Sequence, residues 1–164
     1  MCSSDLAVEV SDGTTGGAGL ADLERLTHLL EAELSTRTTP DDAERALRAA
    51  LATVLVARFE HSGDRRCLDG AVRLYRQAVE PPVDEPEPIA DRRFHLARAL
   101  RLRYEEEGAP ADLDQALAAA RLALDGIAPD HPSYAAYLNN LVNLVRAAFE
   151  LHRRQEDIDR KSVV

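Results

Sequence analysis

Hydrophobic residues recur along the chain at helical spacing. Leu20, Leu23, Leu26, Leu30 and Leu34 lie three or four residues apart, which is the spacing of one face of an α-helix. The same kind of pattern predicts six helices, over about residues 20–35, 39–61, 66–80, 88–106, 111–126 and 133–151. The sequence therefore predicts an all-α fold.

Turn-forming residues separate the predicted helices. Thr39 is expected to cap the second helix, with Pro40 in its first turn. Gly63 is expected to end that helix in a left-handed conformation, and Asp64 to cap the third. Residues 81–88 contain four prolines, so we expect an extended connection there.

A 45-residue self-similarity connects these helices. Phe59, Tyr104 and Phe149 are evenly spaced. The same offset relates Leu51, Leu96 and Leu141, as well as Leu68, Leu113 and Ile158, Gly63 and Gly108, and Ala71 and Ala116. Repetition at a fixed period of this size is typical of stacked helical units. We therefore expect about three repeats, the last of them incomplete, over residues 20–158.

The second helix of each unit carries small residues at close spacing. Ala71-x-x-x-Tyr75-x-x-Ala78 and its counterpart at Ala116, Ala120 and Ala123 resemble the second half of a tetratricopeptide repeat. The segment from Tyr137 to Leu144, Tyr-Leu-Asn-Asn-Leu-Val-Asn-Leu, resembles long tetratricopeptide units of actinobacterial proteins. Ordinary units repeat at about 34 residues, so units of 45 need longer helices or loops.

The resemblance implies a fold and a function. It implies a right-handed α-solenoid of antiparallel helix pairs, serving as a non-catalytic scaffold for protein–protein interaction within a larger signalling or effector protein. Such actinobacterial arrays often accompany caspase-like CHAT protease domains or signalling ATPases. The alternative is therefore an array that senses a ligand or controls assembly for a parent enzyme whose catalytic domain is missing here.

The resemblance also implies a site. His95, Arg98, Asn140 and Asn143 occupy positions expected to face a concave groove, with His95 equivalent to Asn140 and Arg98 to Asn143. There, amides could hydrogen-bond an extended peptide and arginine could pair with carboxylates. Asn139, Asn140 and Asn143 could equally cap loops or bond neighbouring helices. The second helix offers only Ala50 and Thr53 at these positions.

Composition narrows the function classes. A net charge of −9 disfavours nucleic acid as a partner, because phosphate binding depends on Lys and Arg. No apolar run reaches the roughly 20 residues of a membrane span, and the two cysteines do not form a disulfide framework, so we expect a cytoplasmic protein. Phosphate-loop, nucleophile-turn and zinc-helix motifs are absent from the sequence. We expect no enzymatic activity, cofactor or metal, and interpret Cys67 as a variable turn residue rather than a nucleophile.

Both ends of the chain resemble translated sequencing-adapter DNA, at Cys2-Ser3-Ser4-Asp5-Leu6 and over residues 159–164. We therefore expect a gene fragment, with a terminal scar and a disordered Gly-rich linker over residues 1–19 and a second scar over residues 159–164. The partner of the last helix would then be cut off. An uncovered apolar face at Leu141, Leu144, Val145 and Phe149 is expected to drive self-association.

Overall fold

The structure, a computed structural model, describes residues 17–38, 41–80 and 86–162. Six helices account for most of this part of the chain, and it contains no strand. The helices are α1 (Gly17–Thr36), α2 (Asp42–Ser62), α3 (Arg65–Val79), α4 (Pro86–Glu107), α5 (Pro110–Asp125) and α6 (Tyr134–Ser162). The predicted all-α class is confirmed. None of the helices described is long and apolar enough to cross a membrane.

Helix caps follow the predicted chemistry with one correction. Asp41, rather than Thr39, caps α2, because its carboxylate accepts the Glu44 N–H at 2.7 Å. Gly63 ends α2 at φ 68°, as predicted, and the Asp64 carboxylate accepts the Arg66 N–H. Hydrogen bonds from the Arg66 guanidinium to the same carboxylate are the main reason that the pKa of Asp64 lies below its ordinary value. Thr39 and Pro40 lie outside the described residues.

Two helices begin two or three residues earlier than predicted. α4 begins at Pro86, inside the stretch expected to be extended. Proline is tolerated in a first turn because the N–H groups there have no helical acceptor. α1 begins at Gly17, so the last three residues of the predicted linker are helical. Residues 1–16 and 81–85 lie outside the described part of the chain.

The predicted end of α6 near Leu151 is wrong, because α6 continues to Ser162. Gly63 and Gly108 stop α2 and α4 at φ 68° and 70°. The residue 45 positions after Gly108 is Arg153, and a side chain strongly disfavours that left-handed conformation. Without the glycine, the helix runs on through residues 159–162, which the sequence assigned to a terminal scar.

Helix contacts follow chain order. Each helix packs on the next, from α1 to α6, and α2 and α6 also touch α4. Within the described residues no other pair of helices is in contact. Two-residue connections, Gly63-Asp64 and Gly108-Ala109, join α2 to α3 and α4 to α5, so these pairs are antiparallel neighbours.

The same local contacts recur 45 residues apart. The Gly63 N–H donates to the Phe59 carbonyl, and the Gly108 N–H donates to the Tyr104 carbonyl, at 2.7 and 2.8 Å. The N–H groups of Cys67 and Asp112 likewise donate to the carbonyls three residues earlier, both at 3.0 Å. The α2–α3 and α4–α5 pairs are therefore built alike at their turns.

The main core lies between successive helices. It is formed mainly by alanine, leucine and aromatic side chains of α2 to α5, and Leu144 extends it to α6. The expected uncovered face of α6 is therefore wrong for Leu144, which is buried, and for Leu141, which packs against the core, whereas Val145 and Phe149 are exposed. The largest fully buried members are Tyr75, Leu68, Leu100, Leu113, Leu144 and Val72. A smaller cluster of Ala90, Ala123 and Tyr137 joins α4, α5 and α6. Close packing of alanines lets neighbouring helix backbones approach each other, as the sequence pattern predicts.

Candidate functional site

A broad cleft lies between α4 and α6. It encloses about 790 Å³ and is called the α4–α6 cleft below. Its polar lining consists of Arg98, Arg101, Tyr104, Glu105, Asn139, Asn140, Asn143, Arg146, Glu150 and Arg154. Two smaller cavities, of about 90 and 340 Å³, lie beside α2 and α4 and share Thr53, Tyr75 and His95. These two form the α2–α4 cleft.

The four residues predicted to form one groove are divided between these clefts. Arg98, Asn140 and Asn143 line the α4–α6 cleft. His95 lines the α2–α4 cleft, and Arg98 lies at the boundary of the two. The chain therefore brings three of the predicted residues together and places His95 on the other side of α4.

Ring contacts hold His95 on that side. Its ring stacks on Tyr75 with 6.0 Å between centroids and meets Phe94 edge-on at 5.2 Å. Burial lowers the pKa of His95 below its ordinary value, Asp91 at 3.7 Å opposes this shift, and Arg98 adds to it. His95 is thus part of the packing between α2, α3 and α4.

Thr53 shares this packed environment, since its hydroxyl lies 2.8 Å from the Tyr75 hydroxyl. Burial is the main reason that the pKa of Tyr75 is raised. The α2–α4 cleft therefore presents groups that are already engaged with one another. This separates it chemically from the α4–α6 cleft.

The α4–α6 cleft carries excess positive charge on an acidic chain. Four arginines and two glutamates line it. Arg98 pairs with Glu60 at 2.6 Å, and Arg101 pairs with Glu105. Arg146 and Arg154 are exposed, and no described carboxylate lies within ion-pair distance of either. Two cationic side chains of α6 are therefore available to an anionic ligand.

Amide groups lie beside these arginines. The Asn140 side-chain nitrogen is buried and has no hydrogen-bond acceptor among the described residues. The Asn143 side-chain oxygen accepts a 3.4 Å hydrogen bond from Arg146, on the same helix. A buried donor without an acceptor costs about 1–3 kcal/mol. The Asn140 nitrogen is closed to solvent, so an acceptor entering the cleft recovers the cost only after the Asn140 side chain rotates toward it.

Several residues of the cleft were not selected from the sequence, notably Arg101, Arg146, Glu150 and Arg154. The sequence feature that could have identified them is their helical spacing. Asn139, Asn143, Arg146, Glu150 and Arg154 follow one another at steps of three or four along α6, as residues on one helical face do. Arg98, Arg101 and Glu105 do the same on α4. A polar stripe on each helix could have predicted the cleft lining.

Other chemistry that the sequence raised has a structural explanation. Cys67 is buried in the main core, so its thiol serves packing. In the part of the chain that is described, no group of three or more His, Cys, Asp and Glu side chains is placed to hold a metal ion. No model of a known protein family matches the chain, and no curated protein or solved structure is significantly similar to it.

Proposed function

We propose that the chain is a non-catalytic protein-interaction scaffold, a right-handed α-solenoid of tetratricopeptide-like helix pairs, whose α4–α6 cleft binds an extended acidic peptide. One observation carries the ligand assignment. A chain of net charge −9 lines the α4–α6 cleft with four arginines, two of them without an ion-pair partner among the described residues.

The pattern of contacts between helices supports the solenoid part of the proposal. Helices touch their chain neighbours, and α4 touches α2 and α6. Stacked repeat arrays bury their core in this way, because each unit contacts only adjacent units. The recurrence of the Gly63 and Gly108 turns at a 45-residue interval supports the same architecture.

The chemistry of the cleft supports an acidic peptide as its occupant. Guanidinium groups such as that of Arg146 pair with carboxylates, preferentially with two parallel hydrogen bonds. The Asn140 amide nitrogen lacks an acceptor and can reach a ligand when its side chain rotates into the cleft, where an extended peptide offers a carbonyl oxygen at every residue. The cleft thus combines a partner for acidic side chains with a partner for the backbone. The same cleft would serve the alternative role, ligand sensing for a parent enzyme.

Peptide titration tests this proposal. The probe is a fluorescein-labelled octapeptide of alternating Glu and Ser, compared by fluorescence polarisation with the same peptide in which Gln replaces Glu. We expect the acidic peptide to bind more tightly, and its affinity to fall with added salt because exposed charges are screened. Equal binding of the two peptides would contradict the proposed ligand class.

Matched variants locate the binding site. Arg98→Ala with Asn143→Ala, and separately Arg146→Ala with Asn140→Ala, should each weaken binding of the acidic peptide by about tenfold or more. Arg121→Ala, at an exposed position on α5 outside the cleft, should leave binding unchanged. Wild-type affinity in both double variants, with folding verified by circular dichroism, would exclude the α4–α6 cleft as the site.

A further inference from the structure

α6 exposes an apolar stripe that its counterparts bury. Val142, Val145 and Phe149 are 56%, 48% and 62% exposed. The residues 45 positions earlier, on α4, are Ala97, Leu100 and Tyr104. Ala97 and Leu100 are fully buried, and Tyr104 packs against the main core. The stripe therefore occupies positions that form a helix-to-helix contact elsewhere in the molecule.

The contact made at these positions is with the following helix. On α2, the equivalent residues include Ala52, Leu55 and Phe59, all part of the core shared with α3. Leu55 lies so close to α3 that a Cβ added at Gly70 would approach its side chain to 3.1 Å. α3 covers these positions of α2, and α5 is the helix that follows α4. No described helix follows α6 to cover Val145 and Phe149.

α1 exposes the complementary half of the same contact. Leu26 and Leu29 are 46% and 64% exposed. The residues 45 positions later are Ala71, which is fully buried, and Leu74, which packs against the core. Gly70, one turn before Leu74 on α3, lies against Leu55 of α2, the helix that precedes it. α1 has no described helix before it, so its side chains at these positions are uncovered.

We propose that α6 of one copy of the chain packs against α1 of a second copy, head to tail, in the manner in which α2 packs against α3. The two exposed stripes occupy the two sides of that helix pair. Charge favours the pairing as well. α1 carries Asp22, Glu24, Glu31 and Glu33 against a single arginine, whereas α6 carries five basic and four acidic residues, so the net charges of the two helices are opposite in sign. This interface leaves the α4–α6 cleft open and does not depend on peptide binding there.

The geometry of the pairing sets its outcome. Leu26 and Val142 are larger than the alanines at the equivalent positions of α3 and α2, so α1 and α6 meet at a wider separation than α2 and α3 do. A head-to-tail contact between different surfaces leaves one of each surface free on a dimer. Association therefore continues into open chains whose length increases with protein concentration.

Complementary variants test the proposal. Leu26→Asp with Leu29→Asp blocks the α1 stripe, and Val145→Asp with Phe149→Asp blocks the α6 stripe. All four side chains are exposed in the single copy, so both variants are expected to fold. Leu122→Asp, at an exposed leucine of α5 outside both stripes, is the matched control. Sedimentation is measured from about 1 µM to about 1 mM, which spans weak to moderate association.

Wild type and the Leu122→Asp variant should form species whose mass increases with concentration. Each blocked variant should remain monomeric alone, and an equimolar mixture of the two should form dimers and nothing larger, because each partner offers one intact stripe. A monomeric wild type across the range would overturn the proposal. Dimerisation of the α1-blocked variant by itself would also overturn the proposal and would indicate that α6 pairs with α6. A mixture of the two blocked variants that stays monomeric would overturn it as well.

Discussion

Arg58 on α2 and Arg103 on α4 lie 45 residues apart but differ in their partners. Arg103 donates to both carboxylate oxygens of Asp112, at 2.8 and 2.6 Å, and to Asp69 at 3.1 Å. Arg58 contacts Glu24 at 3.9 Å and the Thr27 hydroxyl at 3.4 Å. Its buried Nε atom has no acceptor among the described residues.

One residue accounts for most of this difference. Cys67 stands where the α4–α5 pair has Asp112, and the N–H groups of both make the same backbone hydrogen bond. The hydrogen bonding of the Arg103 guanidinium to the Asp112 carboxylate is the largest of the effects that raise the pKa of Arg103. The comparison shows that two helix pairs with matching turns can differ in how closely a partly buried guanidinium is paired with carboxylates.

The aromatic residues at the repeated position should give the largest effect. Phe59 is buried in the core, Tyr104 is partly buried and Phe149 is exposed. Phe59→Ala should therefore lower the free energy of unfolding by about 3–5 kcal/mol. Tyr104→Ala should cost less, and Phe149→Ala should remain within about 0.5 kcal/mol. Urea denaturation of dilute protein measures all three, and equal losses would refute the assumed difference in burial.

Breaking the Arg103 pair should give the next largest effect. Asp112→Asn removes the carboxylate from a buried position and leaves the guanidinium without its main partner, so we expect a loss of about 3 kcal/mol. Asp69→Asn removes an exposed partner of the same arginine and should cost less than about 1 kcal/mol. Urea denaturation of both variants provides the measurement. Similar losses in the two would show that Asp112 has no special role.

Introducing a carboxylate at Cys67 should make the α2–α3 pair resemble the α4–α5 pair. Cys67→Asp places an acceptor near the Arg58 Nε atom, and we expect the free energy of unfolding to increase by about 1 kcal/mol. Cys67→Asn has a similar shape without the charge and should give no increase. The gain should disappear when Arg58→Ala is also present, which a double-mutant cycle measures. A gain that survives in that background would have another origin.

A pH dependence from His95 should be the smallest effect. Burial lowers its pKa in the folded chain below 6.5. As the pH falls below about 6.5, His95 therefore takes up a proton in the unfolded chain before it does so in the folded chain. The free energy of unfolding decreases on acidification as a result, and His95 has no effect on it at higher pH. His95→Phe should reduce the loss of unfolding free energy between about pH 7.5 and about pH 5.5.

The exposed His28 supplies the control for this measurement. Its side chain is largely open to solvent, so His28→Gln should retain the wild-type dependence on pH. If His95→Phe also retains it, the histidine does not contribute to acid sensitivity. The experiment thus separates the packed α2–α4 cleft from an exposed surface histidine.

Much of the fold was predictable because it depends on local interactions. The helices follow apolar spacing, and the turns after α2 and α4 follow Gly63 and Gly108, whose left-handed conformation is visible as a sequence preference. The exception at α6 is instructive. The repeat pattern predicted an end near Leu151. The position equivalent to Gly108 is Arg153, which does not favour the left-handed conformation, so the helix continues.

The sequence by itself determined the helices, their order and the positions that correspond across 45 residues, since these depend on spacing within a few turns of helix. Only the tertiary structure decided that His95 packs on Tyr75 while Arg98, Asn140 and Asn143 line one cleft. It also decided that Arg103 is hydrogen-bonded to two carboxylates, whereas Arg58 lies 3.9 Å from one. Residues 45 positions apart lie at the same place on their helices, where each side chain can contact either of two neighbouring helices. Which neighbour a side chain meets depends on the size and charge of residues far away along the chain, and helical spacing does not encode those.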